Sequence, residues 1–106
     1  MLLEIRRYTC QPGQRDAWVK YFEEKIAPFQ TSKGMDILGS FVDEEDENGF
    51  VWLRRFDDEA HRVALYAAVY DDDEWKNDIS PAIPAMMDRP KMVITRLVPL
   101  ASSAIQ

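Results

Sequence analysis

The sequence predicts an α+β fold built from one antiparallel sheet and two helices. Three observations predict it. Period-two and period-3.6 apolar patterns alternate along the chain in the order strand, helix, strand, strand, helix, strand. A turn-rich acidic segment, "EEDENG", joins the two middle strands. The strands carry apolar residues on both faces, so neither face reads as solvated. That order is the ferredoxin-like split βαββαβ unit, here with a short helical insertion before the last strand.

Each element has its own grounds. "LLEIRRYT" (2–9) alternates, with Leu3 and Ile5 on one face and Glu4, Arg6 and Tyr8 on the other. "QPGQ" breaks it, and from about Gln14 the residues Trp18, Phe22, Ile26 and Phe29 recur at helical spacing until Pro28 and "SKG" end the pattern. "DILGSFVD" and "GFVWLRRF" read as a hairpin with Asn48-Gly49 as its turn signal, and Ile37 and Phe41 share one face of the first of these strands. Asp57 or Asp58 caps a second helix, "EAHRVALYAAVY", expected to bury Ala60, Val63, Ala64 and Ala67. Acids at a helix end oppose its dipole, so "DDDEW" is taken as the start of a short third helical stretch near Trp75, interrupted by Pro81 and Pro84. "KMVITRLVP" supplies the last strand.

Composition narrows the function classes. A chain of 106 residues with 46% hydrophobic and 30% charged residues is one domain, 1–106, with a single core. A net charge of −6 argues against nucleic acid or anionic membrane as partner, since both require a basic face. No apolar run reaches spanning length and no signal segment is visible; with one cysteine, Cys10, and therefore no internal disulfide, a cytoplasmic location is expected. No His or Cys pair stands at metal-ligand spacing, so no metal and no cofactor is expected.

Adjacent strand residues point to opposite faces, so Arg54 and Arg55 cannot share an environment. The face of Leu3, Ile5, Val51 and Leu53 is apolar in the middle and is assigned to the helices, with Arg55 at its edge reaching the acids at 57–59. Arg54 is assigned inward on the opposite face, beside Trp52 and Phe56 and across from Glu4, Arg6 and Tyr8. Opposing Glu4 to Arg54 and Arg6 to Trp52 gives an ion pair and a cation–π contact, whereas a two-residue slip would oppose two arginines. The face left bare by the helices then needs a second sheet, and a two-fold homodimer supplies one. Glu4, Arg6, Tyr8, Trp52, Arg54 and Phe56 are thus the candidate pocket, either a structural ion-pair network or a site orienting a small apolar or aromatic ligand by a polar handle. Catalytic roles are unassigned. His61, the only histidine, sits in a helical first turn and is expected to face solvent. The acids at 43–47 and 71–74 are expected to share one solvated rim.

The stretches "EIRRYTCQPG", Trp18 with Phe22, "VWLRRFDDEAHR" and "YDDDEW" resemble the NIPSNAP family over nearly the whole chain. Glu4, Arg6, Tyr8, Gly13, Trp52, Arg62 and Trp75 fall at the family's motif positions. The resemblance implies a dimeric α/β barrel of ferredoxin-like subunits. The superfamily it implies includes cofactor-free monooxygenases, isomerases and haem-handling proteins that use a chamber between sheet and helices. It implies no catalytic residue set. Animal members carry targeting sequence and a second copy of the domain, and their mitochondrial and vesicle-traffic roles are not transferred. Two functions follow as expectations: a cofactor-free enzyme on an apolar or aromatic compound, or a dimerisation module with a structural charge cluster.

Overall fold

The computed structural model describes residues 1–106. β1 (Leu2–Thr9) leads into α1, one helical run made of Arg15–Tyr21, a π-helical turn at Phe22–Ile26, and Ala27–Ser32. β2 (Asp36–Val42), β3 (Gly49–Phe56) and α2 (Glu59–Tyr70) follow. The insertion is α3, in which a second π-helical turn, Trp75–Ile79, continues into a 3₁₀ segment, Ser80–Ala85. A 3₁₀ turn, Arg89–Lys91, precedes β4 (Val93–Leu97). The sheet order is β2-β3-β1-β4, antiparallel throughout, which is the ferredoxin-like arrangement. Glu4 lies opposite Arg54 and Arg6 opposite Trp52, as the charge argument requires.

The π turns have a sequence cause. Trp18, Phe22, Ile26 and Gln30 are all buried and recur every four residues. On a 3.6-residue helix that spacing drifts around the axis, and a wider turn holds all four toward the sheet. Pro28 stands two residues after the first π turn and Pro81 two residues after the second. Each lacks an N–H and crowds the carbonyl four residues back, which the wider turn relieves. Separately, the Ile79 carbonyl accepts from the Tyr21 hydroxyl at 2.7 Å, tying α3 to α1.

Five sequence expectations need correction. The helices cover the face of Glu4, Arg6, Tyr8, Trp52, Arg54 and Phe56, where Gln30, Tyr66 and Tyr70 bond to Arg54 and Glu4, and not the face of Leu3, Ile5, Val51 and Leu53, of which only Leu3 is buried. Arg54 is inward, but under α1 and α2, so its burial needs no second subunit. On α2, Ala60, Val63, Ala64 and Ala67 are exposed, while Leu65 and Val69 are buried and Tyr66 and Tyr70 half-buried. A bulge between Ile37 and Gly39 separates Ile37, opposite Arg54, from Phe41, opposite Val51, so the two occupy different faces. At the hairpin tip neither Asn48 nor Gly49 has positive φ. The turn is instead built on Asp43, whose Oδ1 accepts from the N–H of Glu45 and Asp46 at 2.8 and 2.9 Å. Gly49 is needed because a Cβ there would stand 2.7 Å from the Asp43 Cβ.

The fifth concerns the acids. The Asp43 and Asp46 carbonyls hold Arg15 at the start of α1, while Asp72 holds Lys33 just past its end at 3.0 Å. The two acidic runs therefore sit at opposite ends of a helix about 25 Å long. α2 crosses toward the C-terminal end of α1, where Gly34 meets Leu65, and this separates them. Two local expectations hold. Asp58 caps α2 by accepting from His61 N–H at 2.8 Å, and Arg55 reaches Asp57 at 2.8 Å.

Candidate functional site

The antiparallel register of β1 and β3 brings Glu4, Arg6 and Arg54 onto one face, and α1 and α2 close over them. Arg54 is fully buried and uses all five of its N–H donors. Nε and Nη2 donate to Glu4 Oε1 at 3.1 and 2.6 Å, Nη1 to Gln30 Oε1 and Tyr70 Oη at 2.9 and 2.8 Å, and Nη2 also to Tyr66 Oη at 3.0 Å. Glu4 is equally committed. Oε1 takes Arg54 and, at 3.2 Å, Arg6 Nη1, while Oε2 takes the Tyr66 hydroxyl. Burial acts to raise the Glu4 pKa, but the charge of Arg54, hydrogen bonds from Tyr66 and Arg54, and the charge of Arg6 outweigh it, and the carboxyl is held below its ordinary value. Burial and the bond to Glu4 push Tyr66 up to about 12. Neither Glu4 nor Arg54 has a group to spare for a ligand.

Arg6 differs. Its Nε donates to Tyr8 Oη at 2.7 Å, but its Nη2 meets only the Met92 sulfur, at 3.2 Å, a weak acceptor. Arg6 also lines a cavity of about 190 Å³ between the sheet, α1 and α3. Trp18, Trp52, Tyr8 and Tyr70 line it on one side, and Ile26, Trp75, Ile83 and Met87 give it an apolar wall. The indole N–H groups of Trp18 and Trp52, residues only 1% and 2% exposed, have no hydrogen-bond partner. Buried donors left this way are rare and costly. The Trp52 ring is held by Arg54 at 4.8 Å and by Phe22 at 5.1 Å, and Trp18 stands edge-on to Tyr8 at 5.7 Å and to Phe50 at 5.8 Å. Packing, not hydrogen bonding, fixes both indoles.

Two phenols add donors. Tyr8 accepts from Arg6 and Tyr70 from Arg54, and each hydroxyl keeps its own proton to give. Burial raises the Tyr8 pKa against the opposing charge and hydrogen bond of Arg6, and the nearby Trp52 indole also favours the ionised form without reaching hydrogen-bond geometry. Gln30, its oxygen given to Arg54, has only its NH₂ left. No carboxylate lines the cavity, and Arg89 stands at its exposed rim, anchored to Ser80 Oγ at 2.8 Å. The wall can therefore stabilise negative charge on a bound oxygen, and it holds no carboxylate or imidazole to take up a proton.

Of the six sequence candidates, Arg6, Tyr8 and Trp52 line the cavity, while Glu4, Arg54 and Phe56 form the layer behind them. His61 is half-buried and away from it, its Nδ1 accepting from Asp57 N–H at 2.9 Å. Arg62 donates to Glu59 at 2.6 Å, and this hydrogen bond, with the charges of Arg62 and Arg96, holds the Glu59 carboxyl down to about 2. Cys10 is buried, which raises its pKa and keeps it a thiol. The sequence pattern gave Trp18 only as core, and Gln30, Arg89 and Met92 no role at all. A Gln on the sheet-facing line of α1 was the one available signal, because a buried amide requires a polar partner. No group of three or more His, Cys, Asp or Glu side chains is placed to hold a metal ion, and no helix is long and apolar enough to cross a membrane.

Solved structures share this fold. An uncharacterized NIPSNAP domain protein from Burkholderia xenovorans superposes with a TM-score of 0.87 at 23% identity, covering 97% of this chain and 98% of that one. A NIPSNAP family protein from Agrobacterium tumefaciens C58 gives 0.89 at 16% identity, over 99% and 98%. An antibiotic biosynthesis monooxygenase gives 0.68 at 20% identity, over 94% and 99%. No curated protein matches the sequence significantly. The NIPSNAP family model itself matches residues 3–102, nearly all of the strands, helices and cavity wall described above, and the chain belongs to the NIPSNAP family.

Proposed function

We propose that the protein works as a homodimer in which each subunit holds a small apolar or aromatic compound, by a polar oxygen, in the chamber between sheet and helices. The observation that carries this is the pair of unpartnered indole N–H groups, Trp18 and Trp52, on one cavity. A volume of about 190 Å³ lies below the roughly 300 Å³ of a drug-sized site. It exceeds the about 150 Å³ that accommodates a benzene ring, so a single substituted ring fits.

The donor array suits a cofactor-free enzyme of monooxygenase or isomerase type, in which negative charge develops on a substrate oxygen during reaction. Similarity of fold to an antibiotic biosynthesis monooxygenase supports that class. The dimer rests on the uncovered sheet face. Phe41 and Val93 are more than half exposed there and Leu97 is 39% exposed, beside Ile5, Val51 and Leu53. A second sheet would bury that surface. The alternative, a non-enzymatic dimerisation or interaction module, draws support from Arg54, whose five donors are all spent within the protein.

Native mass spectrometry of protein purified from its host tests the proposal. The expected result is a dimer that retains a small reproducible mass at gentle settings and loses it on denaturation. A monomer would overturn the dimer, and a dimer that neither carries a mass nor takes up small aromatic compounds would leave the module.

A further inference from the structure

We infer that the compound held in this chamber is an anion, a small carboxylate bound with its carboxyl group against Arg6, Trp18 and Trp52. This rests on the chamber being a ligand site and names the class of ligand.

Charge balance is the first ground. The buried charged residues are Glu4, Arg6 and Arg54, two cations and one anion, in a chain whose overall charge is −6. Buried charge is costly unless it is paired. Glu4 gives both oxygens to the Arg54, Arg6 and Tyr66 donors, so the interior keeps one positive charge without a partner. That surplus belongs to the cavity side, because Arg6 borders the cavity and its Nη2 meets only a thioether. Arg89 adds a second positive charge at the rim, and no acidic residue borders the space.

Donor geometry is the second ground, and it is independent of charge. The residues lining the cavity carry five donors without a protein hydrogen bond of ordinary strength: the two indole N–H groups, the Tyr8 and Tyr70 hydroxyl protons and Arg6 Nη2. A carboxylate has two oxygens and about four acceptor sites, and no donor of its own. A neutral amide would satisfy fewer of these groups and add N–H donors to a wall already rich in them. An ammonium compound would meet like charge. The rest of the ligand faces Ile26, Ile83 and Met87, which suits a ring or a short branched chain.

Benzoate, benzamide and benzylammonium carry the same ring and a group of similar size in three charge states, and each is titrated calorimetrically into the protein at constant ionic strength. Benzoate is expected to bind at one molecule per subunit, benzamide about tenfold more weakly or worse, and benzylammonium not at all. Trp18→Phe and Trp52→Phe each keep an aromatic ring and delete the unpaired N–H. Each should weaken benzoate about tenfold while leaving the melting temperature unchanged or higher. Benzamide binding as well as benzoate would overturn the anion and leave the chamber standing. No binding by any of the three would overturn both the anion and the ligand site. Benzoate binding equally well to both tryptophan variants would place it outside the chamber and overturn the inference.

Discussion

Glu4→Gln separates the counter-ion role of this carboxylate from its shape. The substitution is isosteric and keeps an oxygen where Arg54 Nη2 now donates at 2.6 Å. It removes the single negative charge between two guanidiniums that are 0% and 7% exposed. Breaking a buried pair by neutralising one member typically costs about 3–5 kcal/mol. A Coulomb estimate agrees, since unit charges about 4 Å apart at an effective dielectric near 20 interact by about 4 kcal/mol. For a domain of this size each kcal/mol lowers the melting temperature by roughly 4–8 °C, so a loss of roughly 12–40 °C is expected. That is a large part of the roughly 5–15 kcal/mol a domain has in total. Urea unfolding at pH 7 and fixed protein concentration would read it as a fall in midpoint with unchanged slope. Arg54→Met in the Glu4→Gln background should cost less than the sum of the two single changes by about 0.5–3 kcal/mol, because it removes one of the two uncompensated cations. A Glu4→Gln cost below about 1 kcal/mol, or strict additivity, would refute the counter-ion role.

Acid should expose the same residue. The folded Glu4 pKa lies below its ordinary value of 4.5, so its contribution is complete above that value and is lost as pH falls through the lower folded value. The stability difference between wild type and Glu4→Gln should therefore shrink below about pH 4.5, and a difference constant from pH 7 to 3 would contradict this. Phe41→Lys puts a charge on the uncovered sheet face, and in analytical ultracentrifugation it should turn the proposed dimer into a folded monomer; a sedimentation coefficient equal to that of the wild type would count against a dimer through this face. Asp58→Ala removes the α2 cap that accepts from His61 N–H and should cost about 1 kcal/mol in thermal unfolding, with a loss under about 0.3 counting against the cap.

Strand order, register and the inward placement of Arg54 were legible because they depend on local alternation and on one pairwise rule, that like charges avoid facing each other. The choice of covered face was not. Leu3, Ile5, Val51 and Leu53 form an unbroken apolar set, and on strand pattern alone that looks more like a core than a face carrying Glu4, Arg6 and Arg54. What reverses the preference lies elsewhere in the chain, since Gln30, Tyr66 and Tyr70 supply the hydrogen bonds that make those charges buriable. The residues of α2 at 65, 66, 69 and 70 carried the correct stripe, against those expected at 60, 63, 64 and 67. Volume does not decide between them, since Val63 is 53% exposed and Val69 is fully buried. The bulge after Ile37 was illegible for a different reason, because an extra residue in a strand shifts the pattern without marking itself. The division within the charged cluster could not be read from one strand pair either. It depends on which donors α1 and α2 leave unused.

The central claim is that the Trp18 and Trp52 indole N–H groups wait for an acceptor in the chamber. Two-dimensional nitrogen-15 spectra of the three indole N–H groups during benzoate titration test it directly, with Trp18→Phe and Trp52→Phe assigning the peaks. Saturable downfield movement of both the Trp18 and Trp52 resonances is expected as they acquire a hydrogen bond. Stationary Trp18 and Trp52 peaks at benzoate concentrations that saturate calorimetric binding would contradict it.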